Sequence, residues 1–148
     1  MFNSILVAVD GSEISRRALE KAVALAHASK APLHAVHVVS TGTYPALPLD
    51  GLEPPDMARQ ALLDSLDREA DAILADAERK AAAAGVPITL HKRWGHPGAE
   101  ITALAQELGT DLVVVGSHGR GRLDRFFLGS VSSYVVDHVT SAVMVIRT

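Results

Sequence analysis

Five short runs of branched apolar residues set the limits on what this chain can fold into: Ile5 to Val9, Leu33 to Val39, Val86 to Leu90, Leu112 to Val115 and Ala142 to Ile146. Between them apolar residues recur at helical spacing: Ile14, Ala18, Ala22, Leu25 and Ala26, then Leu62, Leu66, Ala70, Ile73 and Ala77, then Ile101, Leu104, Ala105 and Leu108. Continuous apolar runs read as strands, and a period near 3.6 residues reads as helix. A further helix-like segment, Ser132 to His138, precedes the last strand. Strict alternation of the two predicts an α/β domain: a five-stranded parallel sheet covered by helices on both faces.

Boundary residues agree. Ser12 can cap the first helix, Gly85 follows the second, Pro97 opens the third with Glu100 nearby, and Gly109 follows it. At 148 residues the chain has the size of one domain, residues 1 to 148, enough to bury roughly 70% of its unfolded surface. The connection from Ser40 to Asp56, STGTYPALPLDGLEPPD, is rich in proline and glycine and lacks periodicity, so it reads as a long mobile loop.

Composition narrows the function. With 48% hydrophobic residues, 21% charged residues and a net charge of -3, the chain suits a soluble globular protein and is a poor general binder of nucleic acid. It has no cysteine, so no disulfide or thiolate chemistry is available. The opening MFNSILVAV lacks the marks of a signal peptide, and no apolar run approaches the ~18 residues of a membrane span. A cytoplasmic location, without membrane contact, is the expectation.

The stretch GSHGRGRLDRFFLGSVS, residues 116 to 132, links the fourth strand to the last helix. Helix starts attract anions, because their first N–H groups lack partners and the macrodipole adds partial positive charge. Gly116 ends a strand where a side chain would project toward a ligand, Gly119 lets the backbone turn, and Gly129 clears the approach to the helix. Arg120, Arg122 and Arg125 add positive charge, and Ser130 and Ser132 add hydroxyls. The pattern reads as a phosphate cradle at the carboxyl end of a strand, where open parallel sheets bind ligands. Asp10 marks a second such strand end.

Rival chemistries fail on spacing. GxxxxGK followed by Ser or Thr is absent, and Asp124 stands where a GxGxxG begun at Gly119 needs its third glycine. The Asp10-Gly11-Ser12 turn lacks the paired glycines of an ATP-pyrophosphatase loop, and no GxSxG elbow supports a serine nucleophile. Of the seven histidines, His34 and His37 lie three apart on one strand and so point to opposite faces, while His91 and His96 straddle an expected turn. Their spacing suggests no metal site. His118, between two glycines, is either a phosphate contact when protonated or an exposed loop residue. Trp94 is read as core, with a sheet-edge or dimer contact as the alternative.

The sequence G-x2-G-x9-G-S/T, here Gly116, Gly119, Gly129 and Ser130, resembles the nucleotide-binding signature of the universal stress protein family. ILVAVDGSEIS at the start, HVV ending the second strand, Gly95-His96-Pro97, DLVVVGSHGR and the terminal AVMVIR resemble that family in order and spacing. The resemblance covers nearly the whole chain except the loop from Ser40 to Asp56. It implies a Rossmann-like three-layer domain that binds ATP. Ala8, Val9 and Val38 would border the adenine, and Asp10 would contact the ribose or help hold Mg or Mn, unless it caps the first helix. Val115, Gly116 and Gly119 would line the ribose and phosphate side, with Arg120 among the cationic neighbours. Gly129, Ser130, Val131 and Ser132 would hold phosphates through amides and hydroxyls. The resemblance, together with the exposed edge of a terminal strand, implies a homodimer through residues 142 to 147. The motif offers no obvious general base, so nucleotide-dependent binding in stress response is expected rather than catalysis, with slow hydrolysis left open. The alternatives are an adenylating or phosphoryl-transfer enzyme on the same sheet, and a nucleotide-free interaction module.

Overall fold

The computed structural model describes residues 1–40, 56–118 and 128–147. In chain order the elements are β1 (Ile5–Ala8), α1 (Glu13–Ser29), β2 (Leu33–Ser40), α2 (Asp56–Ala83), β3 (Ile88–Gly95), α3 (Pro97–Leu108), β4 (Leu112–Gly116), α4 (Ser130–His138) and β5 (Ala142–Ile146). The five strands form one parallel sheet in the order β3-β2-β1-β4-β5. The α/β architecture expected from strand and helix alternation is therefore the one adopted. The connection expected as a loop lies outside the described residues except at its ends.

Strand alternation sorts the apolar side chains into two cores. Ile5, Val7, Ala35 and Val114 pack with Ala18, Leu19 and Ala22 of α1 and Leu74 and Ala77 of α2. Leu6, Val36, Val113 and Val115 pack on the other face with Ile101 and Leu104 of α3 and Val135 of α4. Both faces of β1 and β4 are thus sealed, which is why their sequences are continuously apolar.

Helix ends follow their signals. The Ser12 hydroxyl accepts from the Ser15 amide at 3.2 Å, and Pro97 opens α3 behind His96, whose Nδ1 accepts from the Ala99 amide at 3.1 Å. Gly109 closes α3 in the left-handed region at φ 62°, a conformation that glycine adopts without steric cost.

The third strand differs most from expectation. It spans Ile88–Gly95 rather than Val86 to Leu90, and it pairs with β2 along its whole length, from Leu33↔Ile88 to Ser40↔Gly95. His91 therefore lies inside a strand and not at a turn, while His96 caps α3. The polar run His91 to Arg93 hid the strand because β3 is an edge and its charges are used. Lys92 Nζ lies 2.7 Å from both Asp67 and Asp71 of α2, and Arg93 pairs with Glu107 and Glu100 of α3. Charged side chains tied to both helix layers protect such an edge from stray pairing. Trp94, 39% exposed on this strand, is not a core residue. Helix α2 begins at Asp56, ahead of the expected start at Leu62, and residues 57–65, Leu62 included, are exposed, so the core-facing period begins only later in the helix.

A Cβ at Gly98 would fall 2.7 Å from Cγ and 2.8 Å from Cβ of Tyr134, so α3 and α4 meet at a distance that only glycine allows. Gly98→Ala should cost about 1–3 kcal/mol by overpacking, measured by urea unfolding, and Tyr134→Ala in the same chain should recover part of the loss. At the opposite end of the sheet the Asp111 carboxylate accepts from the amides of Asn3 at 2.9 Å and Ser4 at 2.9 Å, which holds its pKa below the ordinary value. A lowered folded pKa means that this stabilisation is full above the unfolded value of about 3.9 and fades as pH falls below it. The urea midpoints of the parent and Asp111→Asn should therefore differ at pH 7 and converge in acid.

Candidate functional site

Chain order reverses direction between β1 and β4: β1 leads through α1 to β2 on one side, whereas β3 crosses back through α3 to β4 on the other. Such a switch point opens a crevice beyond the carboxyl ends of the two strands. Ala8 ends β1 with Val9 and Asp10 following, Val115 and Gly116 end β4, Val38 lies near the end of β2, and Ser130 to Ser132 open α4. Ala8, Val38, Val115 and Val131 share the α3/α4 core, while Val9 belongs to the α1/α2 core. Gly119 and Arg120, with Gly121, Arg122 and Arg125, lie outside the described residues.

The β1 end is fixed by a chain of hydrogen bonds. The Val9 amide donates to the Val36 carbonyl at 2.9 Å, and His37 Nδ1 lies 2.8 Å from the Val9 carbonyl, which requires that nitrogen to carry the proton. The Asp10 amide donates to the Ser15 hydroxyl at 3.2 Å, and Asp10 Oδ1 accepts from the Ser12 amide at 2.8 Å across Gly11, whose φ is 81°. Ser12 is the cap of α1, so the alternative role of Asp10 as that cap is not the one adopted. Asp10 instead closes a side-chain turn that aims the chain into the helix.

On the β4 side the backbone of Ser117 joins three elements. Its amide donates to the Ile146 carbonyl of β5 at 2.8 Å, and its carbonyl accepts from the Gly129 amide at 2.6 Å. The Ser132 hydroxyl, buried, lies 2.9 Å from that same carbonyl and 3.0 Å from the carbonyl of Gly129, so its proton is already engaged. What Ser132 leaves for an anion is its amide. A Cβ at Gly129 would stand 3.1 Å from both the Ser117 oxygen and His118 Cα, and one at Gly116 would stand 3.0 Å from the Ile14 side chain. Both glycines thus serve close approaches within the chain itself, which corrects the expectation that Gly116 would project toward a ligand. The direction follows from the pleat, since Gly116 shares the face of Val114 against α1. His118 is buried, so it is not an exposed loop residue.

The α4 start differs from the other helix starts whose caps are described. α1 has the Ser12 hydroxyl and Glu13, and α3 has the His96 ring and Glu100, whereas α4 begins at Gly129 with no side-chain cap and no acidic residue in its first turn. Its first amides, at Ser130, Val131 and Ser132, keep the positive potential of a helix start without a built-in counter-charge. A cavity of about 330 Å³ opens on the α1/α2 side of the sheet and reaches Val9 and Gly11 at the β1 end. Its charged rim of Arg16, Glu69, Asp76 and Arg79 mixes both signs and makes it a poor phosphate site.

His37 and Ser117 are the positioning residues that sequence reasoning missed. A polar residue in a mainly apolar strand is a usable signal for His37, though His34 on the same strand gives the same signal. Ser117 acts through its backbone, which no residue type reveals.

The sequence model of the Universal stress protein family matches residues 1–147. The universal stress protein YxiE of Bacillus subtilis is 37% identical over 148 residues, which is 99% of this chain and 100% of the relative. The structure of the universal stress protein UspA from Lactobacillus plantarum matches with a TM-score of 0.83 at 31% identity, over 98% of this chain and 97% of that one. A universal stress protein in complex with cAMP matches with a TM-score of 0.69 at 28% identity, over 98% of this chain and 96% of its own. Among the described residues no helix is long and apolar enough to cross a membrane.

The Ser132 bond yields a direct expectation. Ser132→Ala removes the link between α4 and the Ser117 carbonyl and should cost about 0.5–1.5 kcal/mol in urea unfolding. Ser133→Ala, which loses a longer contact of 3.3 Å to the Leu128 carbonyl, should cost less.

Proposed function

The chain belongs to the universal stress protein family, and on that premise we propose that it binds ATP at the crevice between β1 and β4 and acts in stress response through nucleotide-dependent contacts. The observation that carries this reading is the α4 start, a helix N-terminus without side-chain cap or acid at the carboxyl end of a parallel sheet. The relative solved with cAMP supports an adenine nucleotide as the ligand class.

In this reading the phosphates meet the amides of Ser130, Val131 and Ser132, with the Ser130 hydroxyl exposed beside them. Gly116 and Gly129 contribute by letting β4, α1 and α4 close tightly around that point. Gly119 and Arg120 complete the cradle by their place in the glycine signature. The adenine lies toward Ala8, Val9 and Val38, and the ribose toward Asp10 and Val115. Asp10 offers one carboxylate, which suits Mg or Mn, because such ions are held by one or two carboxylates together with nucleotide phosphates. Its Oδ1 already accepts from the Ser12 amide, so the carboxylate is oriented before any ion arrives.

Binding, not turnover, is the function assigned. Helix amides hold ground-state phosphate as well as they hold a transition state, and uniform binding gives affinity without rate. β5 is an edge strand with partly exposed apolar side chains, so a second copy pairing along residues 142 to 147 is the assembly we propose.

A single substitution separates fold from function. Ser130 is exposed at the first turn of α4, where an acidic side chain favours the helix by about 0.3–1 kcal/mol and repels phosphate. Ser130→Asp should keep or raise the unfolding midpoint while weakening ATP binding at least tenfold by calorimetry. Unchanged affinity in a folded Ser130→Asp protein would remove the α4 start as the phosphate site.

A further inference from the structure

Away from the crevice, two histidines meet on the α3 side of the sheet. His34 of β2 and His91 of β3 lie on the same face, since the register pairs Val36 with His91 and His34 with Thr89. His34 Nδ1 and His91 Nε2 are 3.0 Å apart, and the ring centroids are 5.2 Å apart with the planes inclined by 36°. Both rings are half-buried and therefore reachable from solvent. We propose that this pair is a binding site for one divalent transition-metal ion of the zinc type, which clips β2 to β3.

The spacing of the two rings suits such an ion. Two imidazole nitrogens bound to one tetrahedral zinc at about 2.0–2.1 Å stand roughly 3.3 Å apart, with their ring centroids roughly 5.2 Å apart. In their direct contact the two ring nitrogens face one another at 3.0 Å with the centroids 5.2 Å apart; to hold an ion the nitrogens part by a few tenths of an ångström and each ring turns until both lone pairs meet at one apex, a change that leaves the centroid separation as it is. As the ion binds, the ring whose facing nitrogen carries the shared proton takes its other tautomer, with that proton on the remote nitrogen, so that both facing nitrogens offer lone pairs. Burial lowers the pKa of both histidines, and at His91 the neighbouring His34 and Arg93 lower it further while Glu107 opposes them, so both rings favour the neutral form that binds a metal.

The surrounding charges permit a cation. Arg93 lies two residues beyond His91 on the same strand face, but its charge is met by Glu107 and Glu100 of α3. The neighbouring side chains from the central strands, Leu6 and Val36, are apolar. No third histidine, aspartate or glutamate joins the pair in a three-ligand cluster among the described residues. Water therefore completes the coordination, and the site is an exchangeable one rather than a closed structural centre.

Calorimetric titration of zinc chloride into the intact protein at pH 7.5 tests this. One equivalent should bind, and the double variant His34→Gln/His91→Gln should bind at least tenfold more weakly. Because that variant loses the inter-strand hydrogen bond and can unfold, imidazole-edited NMR of the unaltered protein gives an independent reading. Zinc should shift the ring signals of His34 and His91 together, ahead of those of the exposed His27, His96 and His138. No saturable binding up to about 100 µM zinc, unchanged affinity in a folded double variant, or ring shifts confined to other histidines would each overturn the proposal.

Discussion

The carboxyl edge of the sheet depends on how closely Gly129 approaches the backbone of Ser117 and His118. The 2.6 Å hydrogen bond from the Gly129 amide to the Ser117 carbonyl fixes where α4 begins. Ser117 in turn is fixed by its own amide, bonded to Ile146 of β5. With two hydrogen bonds the peptide groups of one residue set the spacing between the end of β4, the end of β5 and a helix start. A side chain at position 129 would press on backbone atoms, which cannot swing aside as a flexible side chain can. The amides of Ser130, Val131 and Ser132 are thereby held at the strand end instead of drifting with a surface turn.

A second constraint acts from the α3 side. Gly98 lets Tyr134 lie against α3, so α4 is set from its middle as well as from its start. Tyr134 also stacks on His138 with centroids 3.8 Å apart, one turn further along the same helix. A nine-residue helix has little stability of its own. Its place is imposed by a glycine on a neighbouring helix, a glycine at its own cap and the apolar contacts of Val135. At the other strand end, the Val9 carbonyl is held by His37 and the Asp10 turn by Ser12 and Ser15. The two halves of the crevice are therefore built differently, with side-chain bonds from His37, Asp10 and Ser15 prominent at β1 and, at β4, a close backbone approach backed by the Ser132 hydroxyl.

Much of this was legible in the sequence because it follows from periodicity. The alternation of apolar runs with helical spacing carried the architecture, and Ser12, Pro97 and Gly109 marked helix ends correctly. The positions of Gly116 and Gly129 were legible too, but their reason was not. Residue type signals a need for space without saying what occupies it, and here that is Ile14 in one case and the chain's own backbone in the other. The length of β3 was hidden for a related reason. An edge strand needs apolar residues on less of its surface, so His91, Lys92 and Arg93 masked it while their partners sat far away on α2 and α3. Ion pairs of that kind join residues distant in sequence and leave no local period to read.

The central claim is that the amides opening α4 and the turn closing β1 together receive an adenine nucleotide. Amide NMR of the intact protein during titration with ATP and magnesium tests it most directly. Saturable shifts are expected at Ser130, Val131 and Ser132 together with Ala8 to Asp10 and Val38. Shifts confined to the α1–α2 cavity around Arg16 and Asp76, or no saturable shift at near-millimolar ATP, would contradict it.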